Sequence, residues 1–368
     1  MSGSDSVFPK HTVPAPPEHF SPDDVGVDNG NYFGLPFGAA EAELVLLSVP
    51  WDVTVSYNGG TAAGPAAILA ASTQVELRDA HYPEGWRRGI ATVPADPWIA
   101  EASARLRAEA ERVIAHLEAG GSTVDGEIAA PLAAVNAGSE RLNDIVFAQA
   151  ASFLAEGRIV GLVGGDHSTP LGLIRAVAGS LAARGEEFGI LHLDAHADLR
   201  AAYEGFAYSH ASIMYNALQL PQVVRLVQVG IRDFCDGEVD LARESGGRIV
   251  QYDDYMLAEN AFEGLDWGMQ CAGIIEQLPE NVYVSFDIDG LSPDNCPGTG
   301  TPVPGGLSYR EAVYLLARVA ESGRRIVGFD LTEVSPAEND GEWNANVGAR
   351  VLYKLCNLTL KTVSGSAG

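Results

Sequence analysis

Lysine and cysteine are both scarce in this chain of 368 residues, and each scarcity excludes a class of protein. Three lysines and 20 arginines stand against 49 acidic residues, and the formal net charge of −26 argues against binding to nucleic acid or to an anionic membrane. The four cysteines have no CxxC spacing, which excludes a zinc knuckle or a disulfide framework: Cys235, Cys271, Cys296 and Cys356. We therefore expect a reducing compartment.

Long apolar runs are also missing. No stretch of about 20 apolar residues occurs, and the N-terminus lacks a charged segment followed by an apolar one, so no signal peptide is predicted. We expect a cytoplasmic protein without membrane contacts. An acidic surface would suit a cationic substrate, but such surfaces more often serve solubility, so charge alone supports no function.

The composition changes near residue 40. Residues 1–40 are rich in Pro, Ser, Asp and Gly, and they are predicted to be an extension that lies over the body of the protein or is partly disordered. Residues 41–368 form the predicted catalytic domain, in which apolar strands alternate with helices, as in the strand at 42–50 and the helix at 139–157. This alternation predicts an α/β fold with a mostly parallel sheet covered by helices on both faces.

Four predicted strands end in bursts of polar residues. The segments are GGDHS at 164–168, DAHAD at 194–198, SFDID at 285–289 and GFDLTEVSP at 328–336. Ligands of parallel sheets bind at the carboxyl ends of the strands, where alternate residues share one side. The first three bursts offer two imidazoles and four carboxylates at such positions: His167, Asp194, His196, Asp198, Asp287 and Asp289.

This donor set favours two divalent metal ions. Carboxylates and imidazoles without thiolates suit Mn(II), with Ni(II) or Zn(II) as alternatives, and two bound metals lower the pKa of water enough for hydrolysis. Taken singly, an aspartate at a strand end is more often a helix cap, and a buried histidine is more often structural. The conjunction of six such residues on three strand ends favours the metal site. No phosphate-loop pattern follows a strand.

These segments, together with CPGTGTPVPGG at 296–306, resemble the signatures of the ureohydrolase family, which includes arginases, agmatinases and guanidinobutyrases. The resemblance spans roughly residues 43–362 and implies an arginase-like three-layer α/β/α domain that assembles into homo-trimers or hexamers. It implies that one metal is bound by His167, Asp194, Asp198 and Asp287. It implies that the other is bound by His196, Asp194, Asp287 and Asp289, with Asp194 and Asp287 bridging.

The resemblance also implies the reaction. A hydroxide held between the metals would attack the central carbon of a guanidinium group, releasing urea and an amine or ammonia. Asp198 would orient the hydroxide, Glu333 would hold the guanidinium, and His210 would move protons to the leaving group. The alternatives are a helix-cap Glu333 and a structural His210, and we expect His192 to be structural. Ser292 stands where the family usually has an aspartate, which could alter how the ligands are oriented.

The loops around these segments must select the substrate. The segment at 50–68 lacks the basic residues of the agmatinase pattern, and Thr54 and Tyr57 could border a small closed pocket. Together with the extended N-terminus and YSHASIMYN at 208–216, it resembles the branch that hydrolyses free guanidine, which is associated with nickel. Guanidine is therefore the predicted substrate, followed by guanidinobutyrate or agmatine and then arginine.

Two other classes of function are weighed against this one. A non-catalytic paralogue should have lost metal ligands, but all six are present. A deacetylase of related architecture would use one zinc ion and a different ligand set. Metal content separates the three: two ions per chain for the ureohydrolase, one zinc for the deacetylase and none for the paralogue.

Overall fold

The computed structural model of the chain describes residues 15–337 and 341–364, and within them eight strands form a single parallel sheet. The spatial order is β2-β1-β3-β8-β7-β4-β5-β6, and every neighbouring pair is parallel. The strands are Leu44–Val49 (β1), Ile90–Val93 (β2), Ile159–Gly164 (β3), Phe188–Leu193 (β4), Val223–Val229 (β5), Ile249–Tyr252 (β6), Asn281–Asp287 (β7) and Arg325–Thr332 (β8). The predicted parallel α/β fold is confirmed.

Helices cover both faces of the sheet. They are Gly64–Ser72 (α1), Pro97–Glu118 (α2), Ala129–Ala155 (α3), Leu171–Ala182 (α4), Ile213–Ala217 (α5), Asp236–Glu244 (α6), Asp254–Phe262 (α7), Trp267–Glu276 (α8), Tyr309–Glu321 (α9) and Trp343–Val363 (α10). Alternate side chains of β1 enter two separate cores: Leu44 and Leu46 pack with residues of α8, α9 and α10, whereas Val45 and Leu47 pack with residues of α2, α3 and α4. The molecule therefore has three layers.

Local sequence explains several of these elements. The strands β1 and β3 are nearly continuous apolar runs because both of their faces are covered. The helix α2 begins after Asp96, whose side chain accepts the backbone N–H of Trp98 at 2.9 Å. The helix α9 begins with a capping box in which Ser308 and Glu311 bond each other's backbone N–H groups.

The N-terminal extension is described from residue 15 onward, and residues 1–14 of the predicted segment lie outside the described residues. Before β1, a short 3₁₀ turn at Tyr32–Gly34 introduces aromatic side chains into the core: Tyr32, Phe33 and Phe37 are all buried there. This part of the segment lies against the body of the protein. The domain boundary at residue 40 stays a prediction.

A helix that crosses a bilayer must be both long and apolar. Among the residues that the structure describes, no helix combines the two properties. The cytoplasmic location stays a prediction.

Candidate metal centre

The four strands that end in polar bursts are the four central strands of the sheet. In the order β3-β8-β7-β4, their carboxyl ends lie side by side. His167 follows β3, Glu333 follows β8, Asp287 ends β7 and Asp194 follows β4. Residues that are more than 160 positions apart in the chain therefore meet, as shown by the 2.8 Å hydrogen bond from the His167 backbone N–H to Glu333 Oε1.

The first cluster surrounds the imidazole of His167. Its Nδ1 lies 2.9 Å from Asp194 Oδ2, 3.1 Å from Asp198 Oδ2 and 3.2 Å from Asp287 Oδ2. All four side chains are buried. Asp198 has a left-handed backbone with φ of +55°, a conformation that costs energy for a non-glycine residue and is tolerated where the surroundings enforce it.

The second cluster surrounds His196. Its Nδ1 lies 3.3 Å from Asp194 Oδ1 and 3.2 Å from Asp289 Oδ2. The two oxygens of Asp194 thus face different clusters, which is the arrangement that a bridging ligand requires. Asp287 directs Oδ2 into the first cluster, and its Oδ1 accepts the backbone N–H of Asp289 at 2.9 Å. The bridging role of Asp287 stays a prediction.

The buried charges perturb one another strongly. Burial raises the pKa of Asp198 to about 6, and the charge of Asp194 adds to the rise. Burial, with the charges of Asp289 and Asp194, raises the pKa of Asp287 well above its usual range. Burial lowers the pKa of His167, but the neighbouring carboxylates outweigh it and hold that pKa well above its usual value. Several carboxylates converge on these clusters, so bound cations would stabilise their ionised forms.

The residues present fit divalent metal ions. The potential donors in the two clusters are carboxylate oxygens and imidazole nitrogens, without sulfur. Donor atoms of His167, His192, Asp194 and Asp198 lie within 4.8 Å of one another, and so do those of Asp194, His196 and Asp289. Such a set suits hard or borderline divalent ions. The assignment of each ligand to one of two metals stays a prediction.

His192 supports the first cluster from behind. Its Nδ1 accepts from Gln228 Nε2 at 2.9 Å, which leaves Nε2–H to donate to Asp194 Oδ2 at 2.7 Å. Gln228 is fixed in turn, because its Nε2 also donates to the Ala197 carbonyl at 2.7 Å. This network favours a positioning role for His192. Gln228 is its neighbour across β4 and β5, a pairing that sequence alone does not reveal.

Two further polar residues were not predicted from the sequence, although both lie inside the motifs. Ser285 Oγ accepts from His167 Nε2 at 2.9 Å and donates to Asp330 Oδ1 at 3.0 Å. With Nε2 carrying the proton, Nδ1 of His167 presents a lone pair to the carboxylate cluster, as a metal ligand must. The alternation of residues within SFDID and GFDLT places Ser285 and Asp330 on the strands themselves. This alternation is the sequence signal from which their positions could have been predicted.

Glu333 is buried at the end of β8 and has a left-handed backbone with φ of +64°. Its Oε1 accepts the His167 backbone N–H at 2.8 Å, whereas its Oε2 has no hydrogen-bond partner among the described residues. Gly300 leaves room beside that oxygen, since a Cβ at this position would lie 2.6 Å from it. Burial and the charge of Asp166 raise the pKa of Glu333 well above its usual range. A cation beside Oε2 would stabilise the ionised carboxylate and so oppose the rise in its pKa.

His210 is tied to a buried carboxylate through Thr54. The His210 backbone N–H donates to Thr54 Oγ1 at 3.1 Å, and the Thr54 hydroxyl donates to Asp166 Oδ2 at 3.2 Å. Asp166 was not predicted from the sequence, although it precedes His167 in the GGDHS motif. Burial lowers the pKa of His210 to about 3, with the charges of His196 and His167 adding to the effect. The imidazole is therefore neutral near pH 7.

A cavity of about 320 Å³ opens beside the second cluster. Its lining includes His196, Asp198 and His210, which brings three of the predicted site residues to one space. Tyr57 also lines it and is 74% exposed, whereas Thr54 is fully buried and lies behind the lining. The substrate-binding roles of these two residues stay predictions.

Ser292 lies in the loop that follows Asp289. Its N–H donates to the Leu307 carbonyl at 2.8 Å, and its Oγ accepts the N–H of Asp294 at 3.3 Å. Buried Arg232 steadies the same loop, donating from Nη2 to the Asp289 carbonyl at 2.7 Å. The loop is thus held mainly by hydrogen bonds to its backbone groups.

Known proteins resemble this chain in sequence and in fold. The sequence pattern of the Arginase family matches residues 42–357. The chain is 33% identical over 319 residues to an N(1)-aminopropylagmatine ureohydrolase of Thermus thermophilus, covering 86% of this chain and 90% of that protein. It is 28% identical to an agmatinase of Bacillus subtilis, covering 86% and 91% of the two chains.

The structure of proclavaminate amidinohydrolase from Streptomyces clavuligerus superposes with a TM-score of 0.70 and 25% identity, covering 90% of this chain and 97% of that one. The predicted ureohydrolase resemblance is thereby confirmed. The chain belongs to the arginase family and is a ureohydrolase that acts on guanidino carbon–nitrogen bonds.

Proposed function

We propose that the protein hydrolyses a small guanidino substrate, with free guanidine as the preferred one, to urea and ammonia. The observation that supports this most directly is the buried, unpartnered Oε2 of Glu333. A planar guanidinium donates paired, charge-assisted hydrogen bonds, which is what an ionised carboxylate in this position accepts. Glu333 would hold the substrate while its other oxygen remains bonded to the His167 backbone.

The surrounding residues have distinct tasks in this proposal. Two bound divalent ions would lower the pKa of a coordinated water and so supply a nucleophile near neutral pH. His167, Asp194, Asp198, His196, Asp287 and Asp289 would hold them, and Asp198 would also orient the nucleophile. His210, neutral near pH 7, would accept a proton and pass it to the leaving nitrogen. Thr54 and Asp166 would fix its position.

Free guanidine is favoured by the residues of the cavity. The lining includes Arg200, whose positive charge would lie beside the remaining chain of a longer substrate in this cavity. Glu238 also lines the cavity, but its two oxygens accept the backbone N–H groups of Leu199 and Cys235 at 3.0 and 2.9 Å. Free guanidine is a monocation without a distal group, so its binding would need no contact with Arg200 or Glu238.

Guanidinobutyrate or agmatine is the second candidate, with the aminopropyl derivative of agmatine beside them. The exposed side chain of Asp233 lines the cavity and has no partner among the described residues, so it could receive a distal ammonium. The relatives named as agmatinase and N(1)-aminopropylagmatine ureohydrolase support the same substrate class. Arginine ranks below guanidinobutyrate and agmatine.

Urea release tests the proposal. The protein is loaded separately with Mn(II) and Ni(II) and assayed against guanidine, agmatine, N(1)-aminopropylagmatine, guanidinobutyrate and arginine. We expect the highest kcat/KM with guanidine. Release from arginine alone would overturn the ranking, and a higher kcat/KM for agmatine would transfer the proposal to the second candidate.

A variant series tests the site itself. Asp194→Ala and His196→Ala should each lose bound metal and urea release while keeping the far-ultraviolet circular dichroism of the native protein. Asp240→Ala, on the exposed surface of α6, is the control and should retain both. Full activity in either site variant would refute the ligand assignment. Assembly into a trimer or hexamer remains part of the proposal.

A further inference from the structure

We propose that Asn344, near the start of α10, is a positioning residue that sets the place of Glu333 in the substrate site. The proposal rests on the proposed guanidinium-binding role of Glu333, and Asn344 would act without touching the substrate. It would act through residues 296–301, the 296–301 loop, which follow the SFDID motif in the chain. The contacts of this loop with α10, with the end of β8 and with the segment after β1 support the role.

The side-chain amide of Asn344 holds the first part of the 296–301 loop. Its Oδ1 accepts the backbone N–H of Gly298 at 3.0 Å and the thiol of Cys296 at 3.5 Å. Because a backbone N–H can only donate, the oxygen of the amide must face the loop. Asn344 is 1% exposed, so this oxygen is directed to the loop rather than to solvent.

The contact between α10 and the loop depends on a glycine. A Cβ at Gly298 would lie 2.2 Å from Asn344 Nδ2 and 2.3 Å from the Ser335 carbonyl oxygen, inside the 3.0 Å at which real Cβ contacts end. Any side chain at this position would therefore push on both neighbours. Gly298 thus lies closely between α10 and the segment that follows β8.

The same loop restrains the segment that carries Glu333. The Gly298 carbonyl accepts the backbone N–H of Ser335 at 2.9 Å, two residues beyond Glu333. The backbone N–H of Glu333 itself donates to the Gly165 carbonyl at 2.7 Å. Restraint is needed here, because the φ of +64° at Glu333 costs energy for a non-glycine residue. Gly165 and Gly298 together hold this backbone in place.

Further along, the loop borders the carboxylate of Glu333. A Cβ at Gly300 would lie 2.6 Å from Glu333 Oε2, the oxygen without a hydrogen-bond partner among the described residues. The Gly300 carbonyl accepts the backbone N–H of Asn58 at 3.1 Å, which ties the segment after β1 to the same loop. That segment also carries Thr54, whose hydroxyl accepts the backbone N–H of His210. A displaced loop would therefore disturb the proposed guanidinium site from two sides.

The path from Asn344 to Glu333 is short. Gly298 donates to Asn344 through its N–H and accepts from Ser335 through its carbonyl, so one residue joins α10 to the end of β8. Without the first hydrogen bond, Gly298 is free to shift, and Ser335 would shift with it. A misplacement of about 1 Å in a site can lower a rate about 100-fold, so a smaller shift of Glu333 should lower it on the order of tenfold.

Two variants test the role from opposite sides of the contact. Asn344→Leu keeps the branching at Cγ but removes the acceptor for the Gly298 N–H. Gly298→Ala keeps Asn344 and forces the loop away from it. The substrate is guanidine, or whichever compound the native enzyme hydrolyses with the highest kcat/KM. We expect each variant to bind metal and to lose about tenfold in kcat/KM.

A double-mutant cycle with Glu333→Gln separates action through Glu333 from a general loss of structure. The glutamine already lacks the charge that a guanidinium needs, so misplacing it should matter little. In that background, Asn344→Leu should lower kcat/KM less than about threefold, and Gly298→Ala should do the same. A purely structural role would give the same loss in both backgrounds.

Asn346→Leu is the matched control, two residues further along α10. The Asn346 side chain accepts from Arg350 Nη1 at 2.7 Å within the helix, and its kcat/KM should equal that of the native enzyme. Metal content and melting temperature are measured for every variant. The metal content matters because Thr301 of the loop also donates to Asp289 of the second cluster at 3.5 Å.

The outcomes separate this proposal from the proposed function. Equal losses in the two backgrounds, or native kcat/KM in metal-loaded Asn344→Leu and Gly298→Ala, overturn the role of Asn344 alone. Should Asn344→Leu fail to fold, the cycle with Gly298→Ala decides. Native activity of Glu333→Gln would refute the guanidinium-binding role of Glu333 and this proposal with it. A native enzyme that prefers agmatine to guanidine changes only the proposed substrate.

Discussion

At the scale of single residues, Glu333 both accepts a backbone hydrogen bond and supplies a negative charge. One substitution can separate these two roles. Glu333→Gln keeps an oxygen for the His167 backbone N–H but removes the charge that a guanidinium needs. Hydrogen bonds to charged groups contribute about 1.5 to 3 kcal/mol, so kcat/KM should fall about tenfold to 150-fold. Urea release and metal content are measured together. A variant that loses its metals would instead assign Glu333 to the metal ligands.

Gly300 provides a second test at the same place. Its Cβ in Gly300→Ala would lie 2.6 Å from Glu333 Oε2, so the side chain of Glu333 must shift or the substrate must lose contact with it. We expect kcat/KM to fall at least about tenfold, since a small misplacement in a site can have a large effect on rate. Gly59→Ala, with no atom within 4 Å of the added carbon, should stay active. Equal activity of the two variants would contradict the prediction.

At the scale of elements, the packing of α4 against α3 depends on a glycine. A Cβ on Gly172 would overlap the Asn143 carbonyl oxygen of α3, so Gly172→Ala should lower the free energy of unfolding by about 1 to 3 kcal/mol. Gly179, also on α4, has open space where a Cβ would lie, with no atom within 4 Å, and Gly179→Ala should raise stability by up to about 1 kcal/mol. Urea denaturation of the metal-free protein measures both. Equal effects of the same sign would refute the packing argument.

The strands and the metal ligands were more predictable than the helix boundaries and the supporting residues. The strand ends could be located because apolar runs of about five to seven residues stop abruptly at charged residues. The helix predicted at 139–157 begins instead at Ala129, since Pro131 in the first turn of a helix is tolerated although it resembles a break. The short edge strand β2 was not predicted, because four residues carry too little periodicity.

Residues that act through long-range contacts were also missed. Asp166 lies inside the GGDHS motif and Gln228 lies on β5, yet their roles depend on partners that only the folded chain brings near, namely Thr54 and His192. Local sequence reports which residues lie on a strand end. It does not report which side chains face them from another element.

At the scale of the whole molecule, the buried charges link stability to pH and to metal. Burial raises the pKa of Asp166 and of Asp198 to about 6, above the value of 3.8 for a free aspartate. The folded state therefore binds protons more tightly than the unfolded state between these values, and stability falls as pH rises through this window, by up to about 3 kcal/mol per group. The raised pKa values of His167 and His196 act in the same direction, since their contribution is lost as pH rises through the folded-state values.

Thermal melts of the metal-free and metal-loaded protein check this dependence. Between about pH 5 and pH 8, the melting temperature of the metal-free protein should fall, whereas Mn(II) or Ni(II) should reduce or reverse the fall because these ions bind the deprotonated ligands. Asp198→Asn should show a weaker dependence than the native chain when metal is absent. A metal-free protein that is more stable at pH 8 than at pH 5 would contradict the prediction.

The position of β8 has a consequence for how the protein is made. Among the described residues it is the last strand in sequence order, yet it lies between β3 and β7 in the middle of the sheet. A ribosome that has released residues up to about 320 has exposed two part-sheets, β2-β1-β3 and β7-β4-β5-β6, with no strand to join them. Only the insertion of β8 unites them, and it brings Glu333 into contact with the His167 backbone in the same event. Synthesis must therefore pass residue 333 before the enzyme can acquire its catalytic centre.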